Sequence, residues 1–218
     1  MIAEAGLAAL WLAAALALLQ LMLSGFGLAG GKPELLGAVR PVAVAQGLLT
    51  AIAFVSLITL FMRSDMSVLL VATNSHSMKP WLYKFAGTWG NHEGSMLLWV
   101  TVMGVAGAAV ALFERALRRE THMATLGGQA AISLGFYAFL LFASNPFGRI
   151  NPPAQDGQGP NPILQDPGLA FHPPTLYLGY VGLSVAFSFA IGALLTGQVD
   201  AAFARPMRPW VLAAWILL

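Results

Sequence analysis

Two short stretches of this chain hold the side chains able to do chemistry. The first is Phe171-His172-Pro173-Pro174, at the head of an apolar run. Proline fixes its own φ and pushes the residue before it towards extended backbone, so His172 is expected outside any helix, on a rigid elbow. A neutral imidazole held this way at a membrane surface suits a metal or haem iron. The plainer reading is a histidine hydrogen-bonded to a neighbouring carbonyl, bracing the elbow and nothing more. The second stretch is Trp89-Gly90-Asn91-His92-Glu93-Gly94-Ser95-Met96-Leu97-Leu98-Trp99. Asn91 reads as an N-cap, with Glu93 facing the positive end of the helix that follows. Capping alone can account for Glu93, and a functional role stands beside it. On a helix His92 and Glu93 point about 100° apart and form no dyad. His92 reads as an interfacial polar residue or a ligand, and His76 as a loop histidine or a ligand. His122, beside a run of charges, is expected to take no part.

The chemistry open to these residues is narrow. With no cysteine in the chain, disulfides and thiol chemistry are excluded. No Gly-rich phosphate loop, no Ser/His/Asp set and no pair of metal ligands at i, i+4 is present. A soluble enzyme has nothing to rest on.

The elements that must position these residues are membrane helices. Residues are 58% hydrophobic and 9% charged, against about 25% charged in a soluble domain. Apolar runs of roughly 20 residues, enough to cross the hydrocarbon layer, lie near Ala5–Leu28, Pro41–Met62, Ser95–Phe113, Met123–Ala143 and Thr175–Thr196. A further helix is expected to begin at Trp210. The fold class is therefore an all-α polytopic membrane protein, with five complete transmembrane helices, the start of a sixth, and two long outer loops. The whole chain, residues 1–218, reads as one membrane domain and as the N-terminal part of something longer. The first run is not a cleavable signal, since no Lys or Arg precedes Lys32 and the run is too long.

Seven of the eleven basic residues, Lys32, Arg40, Arg115, Arg118, Arg119, Arg205 and Arg208, fall in the three short connections. The positive-inside rule then puts the N-terminus and both long loops outside. The run Glu114–Glu120 is a solvated topology determinant, not a nucleic-acid contact. In the first long loop, Arg63–Glu93, Trp81, Phe85 and Trp89 recur at helical spacing. That pattern predicts a short helix lying at the lipid headgroups. The second, Ser144–Pro174, holds eight of the thirteen prolines. It is expected to be an ordered, extended cover and not a disordered linker, because it ends in an apolar aromatic run.

Taken as strings, Trp89–Trp99, the upstream Asn74-Ser-His-Ser-Met-Lys-Pro, Ser144-Asn-Pro-Phe and Gln165-Asp-Pro-Gly-Leu-Ala-Phe-His-Pro-Pro closely resemble the CcmF family. These are the haem lyase subunits of bacterial cytochrome c maturation, with a paralogue in nitrite-reductase assembly. The resemblance runs from the first helix to Trp215. It implies a multi-pass protein of the bacterial inner membrane that presents haem b, as substrate, at its periplasmic face. Apocytochrome Cys-x-x-Cys-His thiols would add there across the haem vinyl groups. It implies that His172 matches a periplasmic ligand to the haem iron, with Phe171, Pro173 and Pro174 setting its direction. Trp89 and Trp99 would line the same face, with His76, His92 and Glu93 as further candidates. Implied partners are a haem-carrying chaperone of CcmE type, a CcmH-type subunit handling apocytochrome thiols, apocytochrome c itself, and membrane lipid.

The chain departs from the family pattern where it matters most. The tryptophan-rich segment, a second periplasmic histidine and two intramembrane histidines do not appear in it, and the helix from Trp210 would lead towards the first of these. One half of a haem clamp is what the chain is expected to carry. A reading from a different class is a subunit of a proton- or ion-translocating complex with Glu93 as relay. It is disfavoured by spans that are essentially free of ionisable residues.

Overall fold

A computed structural model describes residues 1–159 and 165–218. Among these, the elements are α1 (Ile2–Ala29), α2 (Pro33–Met62), α3 (Leu69–Asn74), α4 (Trp81–Gly87), α5 (His92–Phe113), α6 (Arg119–Phe142), α7 (Pro167–Tyr180), α8 (Leu183–Thr196) and α9 (Ala201–Leu217). Four spans, α1, α2, α5 and α6, are single helices long and apolar enough to cross a membrane; the fifth, Ala170–Thr196, is α7 and α8 in series. Among the described residues the fold is all-helical, as the long apolar runs predict.

The bundle is arranged for lipid. On α1, Ala3, Gly6, Ala9, Leu10, Ala13, Ala17, Gln20, Ser24 and Gly27 form the buried stripe, while Leu12, Leu18, Met22 and Phe26 are exposed. On this helix, Leu10 apart, small and polar residues face inward and large apolar ones outward. Without a hydrophobic drive between helices, close approach and polar bonds hold the spans together. A Cβ on Gly47 of α2 would lie 2.6 Å from the Gly104 carbonyl of α5, so the two backbones touch there. Gln20 donates to the Leu126 carbonyl at 2.7 Å and Ser24 to the Met123 carbonyl at 2.7 Å, joining α1 to α6. Gln46 donates to the Tyr137 hydroxyl at 2.8 Å. On the far side of α6, Gln129 donates to Ser184 at 3.0 Å and accepts from Ser188 at 2.7 Å, which brings in α8.

Several boundaries differ from the sequence expectation. α2 starts at Pro33, not Pro41, because Pro33 takes a first-turn position where its missing N–H costs nothing. Pro41 is then absorbed inside the helix. α9 starts at Ala201, not Trp210, since the Asp200 side chain accepts from the Phe203 amide at 2.9 Å and caps it ahead of Pro206 and Pro209. Glu114 is buried, not solvated: its carboxylate accepts from the Ala116 and Leu117 amides and folds the short connection back on itself.

The long connections are tied down. Arg149 pairs with Glu4 at 2.7 Å and Asp65 at 3.4 Å, fastening the second loop to the ends of α1 and α2. Leu69 donates to the Gly148 carbonyl at 2.8 Å and Ile150 to the Ser67 carbonyl at 2.9 Å. Further along, Gln158 and Gly159 donate to Ala72 and Ser75 at the end of α3. These bonds hold the loop as far as Gly159, and from Pro167 it is helical and not extended as expected. Residues 160–164 of it lie outside the described region.

Candidate functional site

Asn91 organises the first chemistry-bearing stretch from both sides. Its Oδ1 accepts from the Gly94 amide at 2.7 Å and caps α5 as the sequence predicts. Its Nδ2 donates to the Gly87 carbonyl at 2.7 Å and closes the end of α4. Gly94 is demanded by this turn, since a Cβ there would sit 1.6 Å from the Thr88 carbonyl oxygen. Ser95 then donates to the Trp89 carbonyl at 3.1 Å and meets the Tyr177 hydroxyl of α7 at 3.1 Å. Glu93 occupies the first turn of α5, the favourable end of the helix dipole.

The short helix expected at the headgroups is α4, with Trp81 69% exposed at its start. Trp89 departs from that stripe. It lies past the end of α4, 6% exposed, its ring 4.7 Å from Phe85 and 6.5 Å from Phe54. Burial needs a partner for the indole N–H, and Trp89 donates to the Ala170 carbonyl of α7 at 3.2 Å.

That bond explains the largest departure from the sequence reading. His172 does not sit on an extended elbow; it lies inside α7, with Pro173 and Pro174 as helical residues. A proline in a helix leaves the carbonyl four residues back without its donor. For Pro174 that carbonyl is Ala170, the one the Trp89 indole occupies. A neighbouring element thus supplies the bond that proline cannot, and tertiary contact overrides local preference. One turn on, Thr175 Oγ1 donates to the Phe171 carbonyl at 2.9 Å.

The four histidines end in different states. His76 accepts from the Met78 amide at Nδ1, and its Nε2 lies 3.5 Å from Asp156 Oδ2. His92 Nδ1 meets Ser144 Oγ at 3.0 Å, its ring edge-on to Phe139, joining the start of α5 to the end of α6. His122 is buried against the Val110 carbonyl at 3.2 Å. His172 is exposed, and among the described residues its imidazole has no hydrogen-bond partner. The carbonyl bond that the bracing role requires is not made. Phe171 beside it is 59% exposed, and Pro173 and Pro174 are half-buried. Trp99 packs below, 5.7 Å from Tyr177, 5.5 Å from Tyr180 and 5.7 Å from Phe136. This aromatic cluster holds α7 against α5 and α6. Among the described residues no group of three or more His, Asp or Glu could hold a metal ion.

Sequence reasoning overlooked the bond from Trp89 to Ala170, the two-sided role of Asn91 and the burial of Lys79. Proline at 174 was the available signal for the first, since it announces an orphaned carbonyl at 170.

Known proteins resemble this chain throughout. A family model described as cytochrome C assembly protein matches residues 89–218, more than half of the chain. The cytochrome c-type biogenesis protein ccl1 of Rhodobacter capsulatus is 53% identical over 218 residues, all of this chain and 33% of its own length. The cytochrome c-type biogenesis protein CcmF of Escherichia coli is 45% identical, again over all of this chain and 34% of its own. A solved structure of the cytochrome c heme lyase CcmF superposes with a TM-score of 0.87 at 25% identity, covering all of this chain and 34% of that one. The chain thus spans about a third of the length of the relatives it matches. The matched region carries the Trp89 turn, the α7 histidine and the fifth span together, and the chain belongs to the cytochrome c assembly protein family.

Proposed function

We propose that the chain forms the N-terminal part of a haem-handling membrane protein of c-type cytochrome biogenesis, with His172 as an axial ligand to haem in transit. One observation carries this reading. Of the four imidazoles, His172 is the one with neither ring nitrogen engaged among the described residues, and it is exposed on a helix that other elements hold in place. Haem is cargo here, not a resident group. The residues' work is positional: a ligand fixed on α7 and an exposed Phe171 beside it restrict the macrocycle. Thiol addition to a vinyl group then becomes effectively unimolecular. In that step the sulfur bonds to one vinyl carbon, the thiol proton goes to the other, and nothing is oxidised or reduced. The haem comes from a CcmE-type carrier, and the apocytochrome thiols from a CcmH-type subunit. Cells deprived of the full-length protein should lose covalent haem from their c-type cytochromes on haem-stained gels. Normal staining would remove this function.

The same reading sets the orientation. The N-terminus and both long loops lie on the periplasmic side of the inner membrane, because most of the basic residues fall in or beside the short connections. A reporter active only after export, fused after Gly157, should be active. High activity of a cytoplasm-only reporter at that position would reverse the topology.

A further inference from the structure

Between the two long loops lies a cavity of about 300 Å³, lined by His76, Met78, Lys79, Pro80, Gln158, Gly159 and Gln165. Lys79 is the unusual member. It is 9% exposed, yet among the described residues no carboxylate lies within ion-pairing distance. Its Nζ donates to the Asn74 carbonyl at 3.2 Å and has two further N–H groups to place. Burial, and then the like charge of Lys84, lower its pKa to about 8. The carboxylate nearby is committed elsewhere. Asp156 accepts from the Ser77 hydroxyl and amide and from the Gly157 amide, which hold its own pKa down at about 2. An ammonium buried with no counter-ion among the described residues is costly, and an anion bound beside it would offset that cost.

The geometry points to a carboxylate-binding pocket, in which Lys79 takes a propionate of the haem whose iron His172 ligates. This rests on the haem-handling reading and adds the second point of attachment that reading lacks. Gln165 lines the cavity and stands just before α7, and His172 lies five residues into that helix, about 8 Å along its axis. Iron and carboxylate of one porphyrin are separated on that scale. A planar molecule held at both points cannot rotate about its axial ligand, so its vinyl groups face a fixed direction. An ammonium suits the task as a compact point charge that follows a flexible propionate.

The test titrates the purified full-length protein in detergent with haem and with haem dimethyl ester, in which both carboxylates are neutralised. The Soret shift gives the affinity for each. The readout is the ratio of the two affinities, which cancels differences in partition into the micelle. Lys79→Gln should lower the acid-to-ester ratio roughly ten-fold or more, the worth of a charge-assisted bond, with ester binding unchanged. Unchanged ester binding also shows that the variant is folded. Lys79→Arg keeps the cation and should keep most of the ratio. A ratio unchanged by Lys79→Gln sinks the pocket and leaves the haem-handling reading intact. Failure of both porphyrins to bind the wild-type protein sinks both.

Discussion

Replacing His172 by alanine in the full-length protein should abolish holocytochrome production while leaving the protein inserted and abundant. The side chain makes no hydrogen bond among the described residues, and α7 is held by Trp89 and Tyr177, not by the imidazole. Its removal therefore costs the fold little, and any loss of activity belongs to ligation. His172→Asn refines the test, because an amide can brace a carbonyl yet is a poor ligand for haem iron. His172→Gly should recover part of its activity when imidazole is added, since a free ligand can occupy the vacated position. Haem staining of c-type cytochromes and the Soret and α bands of the purified protein are the measurements. Normal maturation and unchanged bands in His172→Asn would remove the ligand assignment.

Gly94→Ala should be the most damaging small change near the site. The added methyl would meet the Thr88 carbonyl at 1.6 Å and force apart the turn that Asn91 closes. Overpacking costs about 1–3 kcal/mol and a lost N-cap about 1 kcal/mol more. A fall of several degrees in the thermal midpoint follows, with less protein in the membrane and weaker haem staining. Gly135→Ala is the control, since no atom lies within 4 Å of its added Cβ and alanine is the better helix former. Equal midpoints for the two variants would show that the turn tolerates a side chain.

Much of this architecture is legible in the sequence, because hydrocarbon imposes one crude rule. Apolar runs of sufficient length become helices, and all five expected spans do so. The Asn91 cap is legible for a similarly local reason, its partner lying three residues on. The failures share a cause too. The expectation for Pro173 and Pro174 rests on their effect on the backbone alone, which is correct for an isolated segment. Here the displaced acceptor is 81 positions from the indole that fills it, and no periodicity reports a bond of that span. Lys79 gives no signal in the sequence because a loop lysine is ordinarily solvated, and only the fold shows α3, α4 and the second loop closing around it. Of the candidate site, the sequence supplied residue types; it did not show which imidazole would be left open.

The bond from Gln20 to Leu126 also sets an order of events in synthesis. Its partners are 106 positions apart, so at about 5–20 residues per second α1 waits roughly 5–20 s for the carbonyl that satisfies it. Through that interval an amide and the Ser24 hydroxyl stand in the bilayer without their final acceptors. The pairing of α1 with α2, which rests on small side chains such as Gly27 under Leu36, needs nothing made later. A hairpin of the first two spans therefore forms early and presents a polar seam, and α6 is the strand of the nascent chain that closes it.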